Sequence, residues 1–206
     1  WDDPRMPTLR GMRRRGYTPQ AIRNFIDQVG IAKADSVADI AMLEACVRDD
    51  LGGKAPRVMA VLNPVKVVFT NVPEDWQDTL TMENHPDHPE MGERQVTISR
   101  ELWIEGEDFM EEPPKKYFRL KPEGEVRLKG AYIIKCERVV HTVDGGIDHI
   151  ECSVDLSSRS GSEGANRKVK GTIHWVNARD CAPFEARLYD QLMTEEWDTA
   201  EAADKK

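Results

Sequence analysis

The spacing of apolar residues changes once along this chain, close to Gly53, and this change limits the possible folds more than any other feature. Before Gly53, apolar residues recur three and four positions apart, as on one face of an α-helix. After Gly53, short stretches rich in β-branched residues follow one another, with turn residues between them. The sequence therefore predicts an N-terminal helical part followed by a mostly β part.

Capping signals divide residues 1–52 into three short helices. Thr8, Thr18 and Ser36 are the predicted N-caps, and Pro19 takes the first position of the second helix. The predicted terminators are glycines, at positions 16, 30 and 52–53. The apolar face predicted for the third helix consists of Ile40, Leu43, Val47 and Leu51.

The later part of the chain predicts many short strands. They cover residues 58–62, 65–69, 95–99, 102–104, 126–140, 147–154, 168–176 and 184–188. Residues 144–146 (DGG) have the composition of a hairpin turn between two of them. Short strands joined by turns, without helices between them, are typical of antiparallel barrels. The predicted fold class is therefore mostly β, with one or two antiparallel barrels after a small helical part.

The formal net charge of −8 means that the chain as a whole repels phosphate. Indiscriminate nucleic-acid binding is therefore excluded, and any contact with RNA must come from a local cluster of cations. No apolar run approaches the roughly 20 residues of a membrane-spanning helix, and no basic-then-apolar leader is present. Because the first residue is Trp1 rather than Met, we expect the chain to be an inner part of a longer protein.

Cysteines and histidines give no sign of a disulfide framework or a metal site. The four cysteines lie far apart, at positions 46, 136, 152 and 181, so buried reduced thiols in the cytosol are predicted. His85 and His88 form one HxxH pair in a proline-rich loop, which we interpret as plain surface. Because phosphate loops and the GxSxG and HExxH motifs are absent, no catalytic residue is predicted.

Two groups of cations stand out against this acidic background. In the first, Lys115, Tyr117 and Arg119 alternate along a predicted extended segment, and Arg127 and Lys129 share one face of a predicted strand. Arginines can donate paired hydrogen bonds to a base edge or phosphate, and aromatic rings can stack on unpaired bases. The alternative is a solvated barrel face with cross-strand ion pairs, and the pattern alone does not exclude it.

The second group of cations lies on the first predicted helix. It contains Arg10, Arg13, Arg14 and Arg15, and Arg167, Lys168 and Lys170 extend it. Phosphate contact and a charge effect at the end of the helix are both compatible with this pattern.

Several long strings of residues are similar to one known family. They are residues 1–8 (WDDPRMPT), 13–16 (RRRG), 55–61 (APRVMAV), 84–86 (NHP), 89–92 (PEMG), 170–176 (KGTIHWV) and 187–190 (RLYD). In this order they resemble the glutaminyl-tRNA synthetases, class I aminoacyl-tRNA synthetases. The first two strings resemble the segment after the KMSKS loop, which archaeal and eukaryotic-type glutamyl-tRNA synthetases share. Residues 84–86, 89–92, 170–176 and 187–190 resemble the bacterial glutaminyl branch in particular.

The resemblance implies a division of the chain into three parts. Residues 1–52 would be a helical connector that follows the KMSKS region. Residues 53–73 and 181–206 would form an incomplete proximal anticodon-binding β-barrel, and residues 74–180 the distal anticodon-binding β-barrel. The acidic stretch from Glu195 to Asp204 is interpreted as a disordered or cut end.

The resemblance also implies an activity and its partners. The full enzyme would attach glutamine to tRNA(Gln), with ATP and Mg²⁺ bound in a catalytic domain upstream of Trp1. This chain would hold no cofactor and no metal, and would not aminoacylate tRNA by itself. The expected protein is a cytoplasmic monomer without membrane contact.

Matching positions imply roles for individual cations. Arg57 corresponds to the arginine at the middle anticodon base, Arg127 to the one at the first base, and Arg119 to the one at the third. Lys116 stands where a glutamine is usual and Lys129 where an arginine is usual, so Lys129 keeps the charge without the bidentate fork. Positions near the tRNA backbone are Lys33, Arg13 and Arg14.

Two other interpretations stay open at this point. One is the same region of an archaeal or eukaryotic-type glutamyl-tRNA synthetase, which shares residues 1–16. The other is a non-catalytic scaffold module that kept the barrels and lost RNA binding.

Overall fold

The computed structural model describes residues 1–190 apart from Ala32 and residues 34–36. The described residues form two compact units: residues 1–55 with residues 185–190, and Pro56–Phe184. We call them the helical unit and the β unit. Among the described residues, no helix has both the length and the apolar character needed to cross a bilayer.

The helical unit contains α1 (Leu9–Arg14), α2 (Pro19–Val29) and α3 (Ile40–Gly52). The first two caps are confirmed: the hydroxyl oxygens of Thr8 and Thr18 accept the N–H groups of Gly11 and Ala21. Asp39 caps α3 through a bond from the N–H of Ala41, while the predicted cap, Ser36, lies outside the described residues.

Helices α2 and α3 pack through small and polar residues as well as apolar ones. Ala21, Leu43 and Cys46 are buried, and the buried Asp50 carboxylate accepts the hydroxyl of Thr18 at 2.6 Å and the ammonium of Lys54. This carboxylate ties the start of α2 to the end of α3. The predicted apolar face of α3 was only partly right, because Ile40 and Leu51 are exposed.

The β unit contains nine strands. They are β1 (Pro64–Phe69), β2 (Gln77–Glu83), β3 (Glu93–Ser99), β4 (Glu101–Glu105), β5 (Glu125–Leu128), β6 (Ile133–His141), β7 (Ile147–Asp155), β8 (Thr172–Ile173) and β9 (Val176–Asn177). Short 3-10 turns cover Pro89–Met91, Gly106–Asp108, Leu156–Ser158 and Glu163–Asn166.

Seven of these strands form one curled, half-barrel sheet in the order β8-β5-β6-β7-β1-β4-β9, and β2 and β3 form a separate two-stranded ribbon. Most neighbours are antiparallel, but β1 pairs with β7 and β5 with β8 in parallel. The prediction of a mostly β chain with N-terminal helices is confirmed.

Several strand predictions hold and others fail for identifiable reasons. Residues 126–140 form two strands, because the chain turns between them at Gly130, whose φ is 67°. The predicted hairpin turn at residues 144–146 joins β6 to β7. The strands predicted at residues 58–62 and 184–188 do not form. Strand β2 was missed because Leu80 is its one buried residue, so its sequence lacks apolar alternation.

The core of the β unit lies between the curled sheet and the ribbon. It includes Phe69, Leu80, Ile98, Ile104, Leu128, Ile134, Ile150 and Trp175. Cys46, Cys136 and Cys152 are buried as predicted, whereas Cys181 is exposed, and all four thiols are free. His85 is only 1% exposed, so the prediction that this HxxH lies wholly on the surface was wrong.

One polar network connects the ribbon to the sheet. The Asp78 carboxylate in β2 accepts the hydroxyl of Tyr132 at 2.5 Å and the Nε–H of Arg159 at 2.8 Å. Burial opposes the charge on Asp78, yet the bonds from Arg159 and Tyr132 hold its pKa below the ordinary value. Burial, followed by the bond to Asp78, raises the pKa of Tyr132 to about 12. The ribbon is therefore anchored by an ionised carboxylate.

We predict that Asp78→Asn lowers the free energy of unfolding by about 2 kcal/mol at pH 7, because two bonds to a charged acceptor are weakened. Since the folded-state pKa of Asp78 is depressed, its contribution is complete well above pH ~4 and disappears as the pH falls through the folded pKa. Urea unfolding at neutral and acidic pH measures both effects. Asp75→Asn, an exposed aspartate just before β2, is the control and should change stability little. An equal effect of Asp78→Asn at pH 7 and pH 3 would contradict the role of this charge.

Candidate nucleic-acid interface

A cation-rich cleft of about 520 Å³ opens on the β unit. Its cations come from two stretches that are distant in sequence, together with one residue of β6. They are Lys115, Arg119, Lys121, Lys135, Lys168 and Lys170. Two carboxylates, Glu123 and Glu125, also line it. Positive charge is therefore concentrated here on a chain whose net charge is −8.

Both carboxylates of the cleft are already engaged. Glu123 accepts the Lys135 ammonium at 2.7 Å, and Glu125 accepts the Arg167 guanidinium at 2.7 Å. Pairing leaves the cleft with an excess of positive charge at its surface. Such a concentration attracts a polyanion locally, although the whole chain is acidic.

The segment from Lys115 to Leu120 crosses the cleft as an irregular turn rather than as the extended row predicted. The N–H of Tyr117 bonds to the carbonyl of Pro114, and the N–H of Leu120 to the carbonyl of Asp108. Gly171 lies so close that a Cβ there would be 1.8 Å from the Phe118 carbonyl oxygen. Only glycine fits at this position, and its contact brings residues 115–121 and 168–171 together.

Arg119 is held at the cleft by a buried carboxylate. Its Nε lies 2.9 Å from Oδ1 of Asp108 in an ion pair, and Nδ1 of His174 lies 3.8 Å from Oδ2. Asp108 is only 7% exposed, and this burial raises its pKa, against the attraction of Arg119 and His174. The ion pair is made at the Nε of Arg119 and holds the guanidinium beside this carboxylate.

Two aromatic rings also line the cleft. The Tyr117 hydroxyl donates to the carbonyl of Glu107 at 3.1 Å, which fixes this ring to the neighbouring turn. The Phe118 ring is exposed, and the Lys170 ammonium lies 5.5 Å from its centroid. Cations interleaved with aromatic rings are typical of surfaces that bind unpaired nucleotides.

Arg127, predicted to share a face with Lys129, points into its own unit. Its guanidinium donates to the carbonyls of Ser158, Ala165 and Arg167 at 2.9–3.2 Å. Three of its five N–H donors therefore hold the loop that follows β7. Arg127 does not line the cleft, and neither does Lys129, whose side chain is exposed.

Lys116 and Arg57 lie outside the lining of the cleft as well. Lys116 is exposed and sits between two lining residues in sequence. The backbone of Arg57 is bonded at the end of the ribbon, where its N–H donates to Asn84 and its carbonyl accepts from Arg94. The structure thus brings Arg119 to the cleft and places Arg57 and Arg127 away from its lining.

The helical unit has a second groove, of about 530 Å³, which the sequence did not indicate. Its lining consists of Pro4, Arg14, Arg15, Tyr17, Glu185, Arg187, Leu188 and Tyr189. Arg14 is bonded to Asp2, and Arg15 lies over the rings of Tyr17 and Tyr189. Arg13 and Lys33 are exposed and lie outside this lining.

Two family models match the chain. Residues 55–155 match the anticodon-binding domain of class I tRNA synthetases (E and Q), and residues 1–52 match the catalytic domain of the same class. The first match contains Arg57, Lys116, Arg119, Arg127 and Lys129. The second contains all three helices of the helical unit.

Curated relatives are similar to nearly the whole chain. A glutamine–tRNA ligase of Clostridium perfringens is 56% identical over 95% of the chain, and one of Clostridium kluyveri is 52% identical over 95%. One of Xanthomonas axonopodis pv. citri is 54% identical over 95%. The chain spans about a third of the length of these relatives, from 34% to 36%.

We predict that Arg127→Ala lowers the free energy of unfolding of the β unit by about 1–3 kcal/mol, because three carbonyls lose their donor. Hydrogen exchange should show faster opening of residues 156–167, and urea unfolding should show the loss of stability. Lys129→Ala, two positions away on an exposed side chain, is the matched control and should stay within about 0.5 kcal/mol of the wild type. Equal stability of both variants would show that the loop does not depend on Arg127.

Proposed function

Because the chain belongs to the class I tRNA synthetases for glutamate and glutamine and carries their anticodon-binding domain, we propose that it is the anticodon-reading part of a glutamine–tRNA ligase. The whole enzyme attaches glutamine to tRNA(Gln) with ATP. The names and 52–56% identity of the relatives favour glutamine over glutamate. The cation-rich cleft is the observation that carries the RNA-binding part of the proposal.

The physical basis of binding is local concentration of charge. Phosphates are attracted to the cations of the cleft, while the acidic remainder of the chain disfavours binding elsewhere. The bases of an anticodon loop are unpaired, so their edges and faces are available to side chains. A cleft that combines ammonium groups, a guanidinium and aromatic rings suits such a ligand.

Arg119 is the proposed reader of the third anticodon base. Its ion pair with Asp108 is made at Nε, and its two terminal amino groups are the proposed bidentate contact with a base edge. Because Asp108 is buried, releasing Arg119 would leave a buried carboxylate without this ion pair. This cost stabilises the position of Arg119 beside Asp108. Lys116, next to the cleft, is the proposed phosphate contact.

The other predicted readers contribute from outside the cleft. We assign Arg57 to the middle base and Arg127 to the first base, with Lys129 as a supporting charge. For Arg127 such a contact would use the donors that the three carbonyls do not take. Substitution of Arg127 therefore changes the loop and any base contact together, which makes Arg119 the better position for a test.

The proposed organisation follows the family. Residues 1–52 form the connector, residues 53–73 and 181–206 the proximal barrel, and residues 74–180 the distal barrel. Lys33, Arg13 and Arg14 contact the tRNA backbone. ATP, Mg²⁺ and glutamine bind parts of the enzyme outside this chain, and the enzyme is a cytoplasmic monomer.

We predict that Arg119→Lys weakens discrimination at the third anticodon base by about tenfold, because lysine keeps the charge beside Asp108 but loses the bidentate fork. The measurement is the Kd for anticodon stem-loop RNAs that differ at that base, taken over a range of salt concentrations. Arg138→Lys, also paired with a carboxylate but outside the cleft lining, is the matched control and should discriminate like the wild type.

The salt series tests the proposed function itself. Wild-type affinity should fall steadily as salt increases, because bound phosphates release counterions. A Kd that does not respond to salt, or an absence of RNA binding, would favour a scaffold module over an anticodon reader.

A further inference from the structure

Phe118 is a large apolar side chain held in a polar cleft, half exposed to solvent. Its exposure is 50%, although Leu120, two residues later, is completely buried. Single exposed apolar residues are common on protein surfaces and need no explanation by themselves. Phe118 differs from them because it shares the cleft lining with Lys115, Arg119 and Lys170, whose positive charges attract anions.

The backbone that carries this ring is fixed on both sides. Gly171 is packed against the Phe118 carbonyl so closely that no Cβ fits there. Tyr117 is tied to Glu107 by its hydroxyl, and Leu120 exchanges backbone bonds with Asp108 and Met110. The ring therefore projects from a rigid base, so little conformational entropy would be lost when a ligand packs on it.

Cationic side chains lie near the ring, and a nucleotide bound there would need such charges for its phosphate. The Lys170 ammonium lies 5.5 Å from the ring centroid, within the range of a cation–π contact. Arg119 follows Phe118 in sequence and is oriented by Asp108. An unpaired base on the ring would have one cation near its phosphate and a guanidinium near its edge.

We propose that Phe118 is a stacking platform for one unpaired base of the bound RNA. This inference rests on the proposed function, because it names the ligand group that the same cleft takes. Stacking tolerates any base, since every base has a π face. Phe118 therefore supplies affinity, Arg119 supplies selectivity, and Lys170 binds the phosphate of the stacked nucleotide.

The experiment combines a protein change with an RNA change. Phe118→Leu keeps an apolar side chain but removes the π face, and an abasic site removes the base from one position of an anticodon stem-loop. We expect Phe118→Leu to weaken binding of the intact RNA about tenfold. The slope of affinity against salt should stay unchanged, because no charge is altered. One abasic RNA should bind the wild type about tenfold more weakly and bind both proteins equally.

The matched control is Phe184→Leu, because Phe184 is 58% exposed and lies outside the cleft lining. It should bind every RNA like the wild type. Phe118→Tyr, which retains an aromatic face, should restore most of the affinity. If Phe118→Leu does not fold, the abasic series on the wild type still shows whether one base contributes tenfold.

Two results would overturn the stacking role while the proposed function stands. In the first, Phe118→Leu binds the intact RNA like the wild type, with normal salt dependence. In the second, Phe118→Leu weakens intact and all abasic RNAs by the same factor, so the ring does not contact a base. By contrast, a wild type that binds no RNA, or binds without salt dependence, would refute the proposed function itself.

Discussion

The contact between Gly171 and the carbonyl of Phe118 is the constraint on which the cleft depends. It joins two segments that are far apart in sequence, and each segment supplies cations that the other lacks. Parallel pairing of β5 with β8 continues this contact into the sheet, through the bond from the Arg127 N–H to the carbonyl of Gly171. A side chain at position 171 would push these segments apart, so glycine is needed here for space and not for an unusual φ.

The second constraint is electrostatic, because cations must lie close together in the cleft while the cleft keeps an excess of positive charge. The two carboxylates of the cleft lining, Glu123 and Glu125, are each paired with a cation. Asp108 has a different part, because it is buried and forms an ion pair with the Nε of Arg119. An acidic chain can in this way present a positive cleft whose one arginine has a defined orientation.

Helices and strands could be predicted from the sequence where one of their faces is apolar. They could not be predicted where few of their side chains are buried. The caps at Thr8 and Thr18 act within one turn, so local sequence was enough to find them. Strand β2 pairs with β3 but buries only Leu80, and the Asp78 network that ties it to the sheet has its partner Arg159 far away in sequence. Residues 58–62 show the converse, because two valines without a pairing partner do not make a strand.

The cations of the site were recognisable in sequence, but their geometry was not. An alternating pattern predicted that Arg127 and Lys129 project together, yet Arg127 is occupied by carbonyls from a loop more than thirty residues away. The importance of Asp108 and Gly171 was equally invisible, because each acts through a contact distant in sequence. Phe118 carries a weaker signal, an aromatic residue within a run of cations, and only its exposure beside Lys170 separates it from a core residue. Affinity and selectivity are thus assigned to neighbouring residues, and this separation allows a base to be held by one side chain and identified by the next.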